Sequence, residues 1–145
     1  MLCFVVREVR ARDGVLGYSA SWYSLPQPDV VQALFPPEEH RFGIHAGDVE
    51  TSMMLALRPD LVDMAQAQHF HSTSQDRAAH YPILGNGRSA KLGWQMQDYH
   101  PQGAVGNAAA ATAEKGHAVI DAAAQQLALL LQEISQLPLT TLQDR

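Results

Sequence analysis

The sequence predicts an α/β fold of which this chain holds only a part. Three features carry that reading. Val15 to Trp22 (V-L-G-Y-S-A-S-W) is short, rich in β-forming residues and bounded by Gly14 and by Pro26 and Pro28, the pattern of a buried strand. Thr112 to Gln136 places apolar residues at Val119, Ile120, Ala123, Leu127, Leu130, Leu131 and Ile134, stepping by three or four. That is an amphipathic helix, ended by Leu137-Pro138. No second convincing strand accompanies the first, Lys91 to Gln95 being the only weak candidate. A buried strand has two edges to pair and two faces to cover. One strand and three helices therefore describe a single partial domain over residues 1–145.

The remaining elements follow in order. Met1 to Asp13 mixes a strand-like Phe4-Val5-Val6 with helical spacing of Val5 and Val9 against Arg7, Arg10 and Arg12. Helix is favoured, because Asp13-Gly14 is a stop signal. Residues 25–37 hold four prolines and read as loop, with one helical turn at Asp29 to Phe35. Glu50 to Leu57 is the second helix, with Asp48 as its expected N-cap, Met53, Met54 and Leu57 as its apolar stripe, and Pro59 closing it. From His69 to Gly106 runs a long irregular segment with Pro82, Pro101 and five glycines. Ordered loops of that length are uncommon in compact domains, so it is functional, interfacial or mobile. Gly116 lies inside the last helix at a cost of about 1 kcal/mol relative to Ala, as where a second backbone packs close, here expected to be a sheet.

Composition excludes several classes. The 145 residues are 46% hydrophobic and 17% charged, with a net charge of −5. No basic run offsets that charge, so nucleic acid is not an expected partner. Apolar runs such as Met53 to Leu57 and Leu127 to Leu131 are far short of the roughly 20 residues that span a bilayer. No basic-then-apolar leader opens the chain, and Cys3 has no intrachain partner. A cytoplasmic protein without membrane contact is expected, with Cys3 a buried, inert thiol.

Gly43 to Ser52 (G-I-H-A-G-D-V-E-T-S) is the segment best suited to chemistry. Its glycines allow close backbone approach to a ligand. The helix mouth offers N–H donors for an anion or a developing oxyanion. His45 transfers protons near neutrality, and Glu50 follows five residues later. The plainer reading is a well-capped helix with an incidental histidine. His69-x-His71 has the spacing of two ligands on one strand face, but zinc needs three or four, and no third lies near in sequence. His40, His80, His100 and His117 show no partner pattern. Trp22 and Trp94 suit core or interface packing before ligand stacking. Ser52 lacks a nucleophile-elbow setting, and no phosphate-binding glycine loop is present.

Three stretches together resemble the creatininase (creatinine amidohydrolase) family. The first is His45-Ala46-Gly47-Asp48-Val49-Glu50-Thr51-Ser52 with the helix that follows through Pro59 to Asp63. The second is Lys91-Leu92-Gly93-Trp94 with Asp98, then Gly103-Ala104-Val105-Gly106-Asn107. The third is Ala111-Thr112-Ala113-Glu114-Lys115-Gly116. The resemblance implies a three-layer α/β/α fold with a mostly parallel sheet, in oligomers. It implies a metal-dependent hydrolase of C–N bonds in cyclic or linear amides, using zinc or manganese to activate water. Creatinine, formamides and peptide-like precursors are substrates of such folds.

On that resemblance His45 is the acid/base that also touches substrate, Glu50 supports it, and Gly47 lines the substrate. The family's metal ligands, a Glu-x-His motif and a Gly-His-Gly-Gly-Asn-like segment, have no counterpart here, which leaves His69 and His71 as weak metal candidates. The chain therefore looks like the C-terminal half of such an enzyme. It is expected to be inactive in isolation, its partners being a small amide substrate and either further copies of itself or a separate N-terminal half. The alternatives are a non-catalytic assembly module, with residues 69–106 and the 112–136 helix at an interface, and an inactive fragment.

Overall fold

The computed structural model describes residues 2–143; the side chain of Cys3, expected to be buried, lies outside the described residues. The helices are α1 (Leu2–Asp13), α2 (Asp29–Gln32), α3 (Pro37–Phe42), α4 (Asp48–Leu57), α5 (Thr73–His80) and α6 (Ala113–Gln136). Two short strands, β1 (His69–Phe70) and β2 (Gly106–Asn107), and several 3-10 turns lie between them. The chain is mixed α/β and mostly helical. It divides into two compact units, Met1–Gln27 with Ala122–Arg145, and Pro28–Asp121. No helix of the described residues is long and apolar enough to cross a membrane.

In the first unit, α1 forms as the spacing of its valines predicts. Arg10 and Arg12 fall in its last turn, where cations favour the negative end of the helix dipole. Gly14, at φ +66°, ends it by donating its N–H to the Arg10 carbonyl at 3.1 Å. The strand expected at Val15 to Trp22 is not formed. Residues 14–21 are irregular and lead into a 3-10 turn at Trp22–Ser24. β-propensity describes how a residue fits a paired, half-buried surface, and no second strand pairs with this one among the described residues.

In the second unit, the turn at α2 appears where it is expected, after Pro28. Pro37 begins α3 at the position where its missing N–H costs nothing, with Glu38 and Glu39 in the first turn and His40 and Arg41 in the last. β1 and β2 pair antiparallel, His69 opposite Asn107 and Phe70 opposite Gly106. A single further bridge joins His45 to Val105. The sheet in the described residues is thus two-stranded and antiparallel. Lys91 to Gln95 forms no strand either.

The segment 69–106 contains more regular structure than its composition suggests. Ser72, fully buried, caps α5 by accepting the Ser74 N–H at 3.2 Å. The Thr73 N–H reaches the Tyr99 carbonyl at 3.0 Å, and the Arg77 guanidinium lies 5.0 Å from the Tyr99 ring centre. α5 (T-S-Q-D-R-A-A-H) has no apolar stripe to betray it; its cap and these contacts with Tyr99 hold it. Phe35, Phe70, Tyr99, Val105, Ala108, Ala111 and Val119 form the buried apolar set of this unit.

The last helix, expected over 112–136, is observed as α6. Thr112 Oγ1 accepts the Lys115 N–H at 3.3 Å, an N-cap bond. Glu114 in the first turn has its carboxyl held below the ordinary range by its own backbone N–H, then by the Thr112 hydroxyl. That favours folding above the unfolded-state value and is lost as pH falls through the lowered one. At Gly116 the helix meets another backbone, but the partner is α4: a Cβ there would overlap the Ser52 carbonyl. Gly116→Ala is therefore expected to lose about 1–3 kcal/mol from overpacking, despite a gain in helix propensity of about 1 kcal/mol. Urea unfolding checks this, and a stabilised variant would mean that the two backbones are not in contact.

Candidate active site

The loop from His45 into α4 is shaped by its own carboxylates. Ala46 stands at φ +54°, in the left-handed region that costs a non-glycine residue about 1–3 kcal/mol. Two side chains from the first turn of α4 hold it there. Glu50 Oε2 accepts the Ala46 N–H at 2.7 Å, and Thr51 Oγ1 donates to the Ala46 carbonyl at 3.2 Å. The same Glu50 Oε2 lies 3.4 Å from His45 Nδ1, an ion pair once the imidazole is protonated. The backbone of His45 is fixed from the other side, where its carbonyl accepts the Val105 N–H at 2.8 Å. The imidazole itself is half exposed, and Nε2 has no hydrogen-bond partner among the described residues.

The N-terminus of α4 is organised differently from the expectation. Gly47, not Asp48, is the capping residue, and no side chain of its own caps the helix. The acceptor comes from α3. Glu39, 5% exposed, takes the Asp48 N–H on Oε1 at 2.7 Å and the Asn107 N–H on Oε2 at 2.9 Å. One buried carboxylate thus satisfies an orphan donor of α4 and a donor of β2. A Cβ at Gly43, Gly47 or Gly106 would collide with the Glu39 carboxylate, and Gly106 also needs its φ of +115°. The close approach at Gly47 is made by the chain's own Glu39 and by the Val105 carbonyl.

Asp48 is then free to act as a buried anion, 1% exposed. Its Oδ2 receives Lys115 Nζ at 2.7 Å, and its Oδ1 receives the Ser52 hydroxyl at 3.1 Å. Ser52 Oγ in turn accepts the Thr112 N–H at 3.1 Å, while Lys115 Nζ also donates to the Ala110 carbonyl at 3.0 Å. The ammonium lies 5.4 Å from the Phe35 ring centre. This network ties the start of α4 to the start of α6.

The structure joins His45 to Glu50 and sets Gly47 against Glu39. It does not bring His69 and His71 into a ligand cluster. His71 Nε2 pairs with Asp76 Oδ1 at 3.2 Å, and among the described residues no three His, Cys, Asp or Glu side chains come together to hold a metal ion. The buried carboxylates of Glu39 and Asp48 are taken up by the chain's own donors, so the described residues do not fit a metal centre of their own. Trp22 and Trp94 are part exposed, each edge-on to a tyrosine: Tyr23 at 5.9 Å and Tyr99 at 5.4 Å. Sequence reasoning missed Glu39 and Lys115. Glu39 sits in a charged run (P-E-E-H-R) that reads as a solvated face, and the only hint of its burial is the pair Gly43 and Gly47 that follows.

The α/β unit with this histidine loop is that of an amidohydrolase-type fold seen in solved creatininases. A crystal structure of a putative creatinine amidohydrolase from Bacteroides fragilis NCTC 9343 is 26% identical, matched over 95% of this chain and 51% of its own, with a TM-score of 0.74. A structure described as Creatininase Mn is 26% identical over 91% of this chain and 49% of its own, TM-score 0.59. A mutant creatininase complexed with creatine is 25% identical over 94% and 51%, TM-score 0.59. No curated protein matches the chain. The family model for creatininase, creatinine amidohydrolase, matches residues 1–131, and the chain belongs to that family. It spans about half the length of these relatives.

Two measurements probe this geometry. Glu39→Ala leaves the Asp48 and Asn107 N–H groups without their acceptors and is expected to cost about 2–6 kcal/mol, at about 1–3 kcal/mol per buried unpaired group. Gly47→Ala should then be tolerated better in the Glu39→Ala background than in the native one, a coupling read by a double-mutant cycle in urea. Lys115→Met strands the buried Asp48 carboxylate and is expected to cost about 3–5 kcal/mol, largely recovered when Asp48→Asn is added. Additive effects in either pair would refute the contacts described.

Proposed function

We propose that the chain carries the proton-transfer part of a metal-dependent amidohydrolase that hydrolyses a C–N bond in a cyclic or linear amide. The observation that supports this is a half-exposed imidazole with Nδ1 3.4 Å from the Glu50 carboxylate, on a loop held in an unfavourable backbone conformation. Strain of that kind gathers at functional sites. A structural histidine would need neither the exposure nor the cost. Glu50 orients the ring through Nδ1 and stabilises the imidazolium, so Nε2 is the nitrogen that exchanges a proton with substrate. As water adds to the amide carbon, His45 delivers a proton to the departing nitrogen, and the C–N bond breaks to a carboxylate and an amine. Gly47 contributes through shape, by admitting Glu39 beneath the loop.

A divalent ion such as zinc or manganese, held by residues outside these 145, would supply Lewis-acid activation of water and of the amide carbonyl. Its ligands are to be sought in polypeptide outside these 145 residues, which also supplies the strands of a layered, mostly parallel sheet. This makes the chain the C-terminal half of a creatininase-type unit working on a small amide, inside the cytoplasm and within an oligomer.

The isolated chain is expected to show no turnover of creatinine or other ring amides with added Zn²⁺ or Mn²⁺. Turnover by the chain alone, abolished in His45→Ala, would overturn the external origin of the ligands. In an active assembly, His45→Ala is expected to lower kcat by about 10²–10⁴, and Glu50→Gln by about 10–100-fold. Wild-type rates in His45→Ala would sink the acid/base role.

A further inference from the structure

We infer that Thr51 is a positioning residue for His45: its hydroxyl holds the Ala46–Gly47 peptide so that one oxygen of Glu50 serves both the loop backbone and the imidazole. The inference deepens the reading of His45 as the acid/base and rests on it.

A threonine in a helix ordinarily turns its hydroxyl to a carbonyl three or four residues back. From Thr51 those carbonyls belong to Asp48 and Gly47, and the Gly47 carbonyl already takes the Thr51 N–H at 3.0 Å. The Thr51 hydroxyl passes both and donates to the Ala46 carbonyl at 3.2 Å, five residues back and outside α4. Among the described residues no other hydrogen bond reaches the Ala46–Gly47 peptide. The preceding peptide is held at both ends. There the His45 carbonyl accepts the Val105 N–H at 2.8 Å, and the Ala46 N–H meets Glu50 Oε2 at 2.7 Å. Ala46 stands between these two restrained planes at φ +54°, a conformation that persists only where its surroundings enforce it.

The restraint reaches the ring through Glu50. Its Oε2 is a single atom with two duties, 2.7 Å from the Ala46 nitrogen and 3.4 Å from His45 Nδ1. The charge-assisted bond to Ala46 is the shorter of the two and anchors the carboxylate where it faces the imidazole. Without the Thr51 hydroxyl, Ala46 relaxes and its N–H turns away from Oε2. Glu50, 44% exposed at its side chain, is then free to leave the ring for water. The neighbouring side chains cannot stand in, because Asp48 is engaged by Lys115 and Ser52 by Asp48 and the Thr112 N–H.

The test compares Thr51→Val with Thr51→Ser in the purified chain, by amide hydrogen exchange and by the nitrogen NMR shifts of the His45 ring. In the native chain the neutral ring is expected to carry its proton on Nδ1, toward Glu50. Thr51→Val is expected to speed exchange at the Ala46 amide at least about tenfold and to move the ring proton to Nε2. The Asp48 and Asn107 amides, bonded to Glu39, keep their native rates. Thr51→Ser retains the hydroxyl and is expected to keep both native signatures. A Thr51→Val chain with native Ala46 protection, or with the proton still on Nδ1, would overturn the inference. So would equal acceleration of all three amides, the mark of a residue that only adds stability. Ala46→Gly decides the matter where the valine variant does not fold. Glycine needs no restraint at this φ, so Thr51→Val is expected to raise the unfolding constant by a smaller factor in that background, and an equal factor in both refutes the restraint. Wild-type rates for His45→Ala in an active assembly would sink the acid/base reading instead, whichever way the amides exchange.

Discussion

The second unit depends on one buried carboxylate and the two backbone amides it holds. Glu39 reaches from α3 to the first N–H of α4 and to the Asn107 N–H of β2, and three glycines clear the space it occupies. A helix N-terminus is otherwise a cluster of unpaired donors with a partial positive charge. Here one of those donors is met by an internal anion, so the loop before α4 is fixed without a ligand. The anion-binding role that helix mouths often take is in part filled by the protein itself.

With α4 anchored, its first turn is free to serve the loop above and the helix behind. Glu50 and Thr51 hold Ala46 in its left-handed conformation, and Glu50 faces the His45 ring. Asp48 turns to Lys115, and Ser52 links it to the start of α6. The residues of H-A-G-D-V-E-T-S are thus divided between chemistry and architecture. His45 and Glu50 face solvent, while Asp48 and Ser52 are sealed in. The A-T-A-E-K-G stretch is explained by the same network: Lys115 neutralises Asp48, and Gly116 lets the Ser52 carbonyl sit against the helix.

Some of this was legible before any coordinates. Helices α1, α4 and α6 follow from apolar spacing and stop signals, because local periodicity is enough to choose a helix when one face is buried. The pairing of His45 with Glu50 follows from their nearness in sequence across a helix start. Glu39 was hidden because the donors that justify its burial are nine and sixty-eight residues away. α5 was hidden because its stability comes from Ser72 and Tyr99, not from a stripe of its own. The strand read at Val15 to Trp22 shows the converse: its composition is that of a strand, but the ladder that makes one is absent among the described residues.

The amino-acid order alone determined the helical segments, the acid/base candidate and its family, since these depend on side chains within a few turns of one another. Tertiary structure alone decided which carboxylates are buried and which stay available, and that Gly43, Gly47 and Gly106 all answer to Glu39. The reason is physical. An ionised carboxylate is tolerated inside only where distant N–H groups or an ammonium converge on it, and that convergence is written in the fold, not in any stretch of the chain.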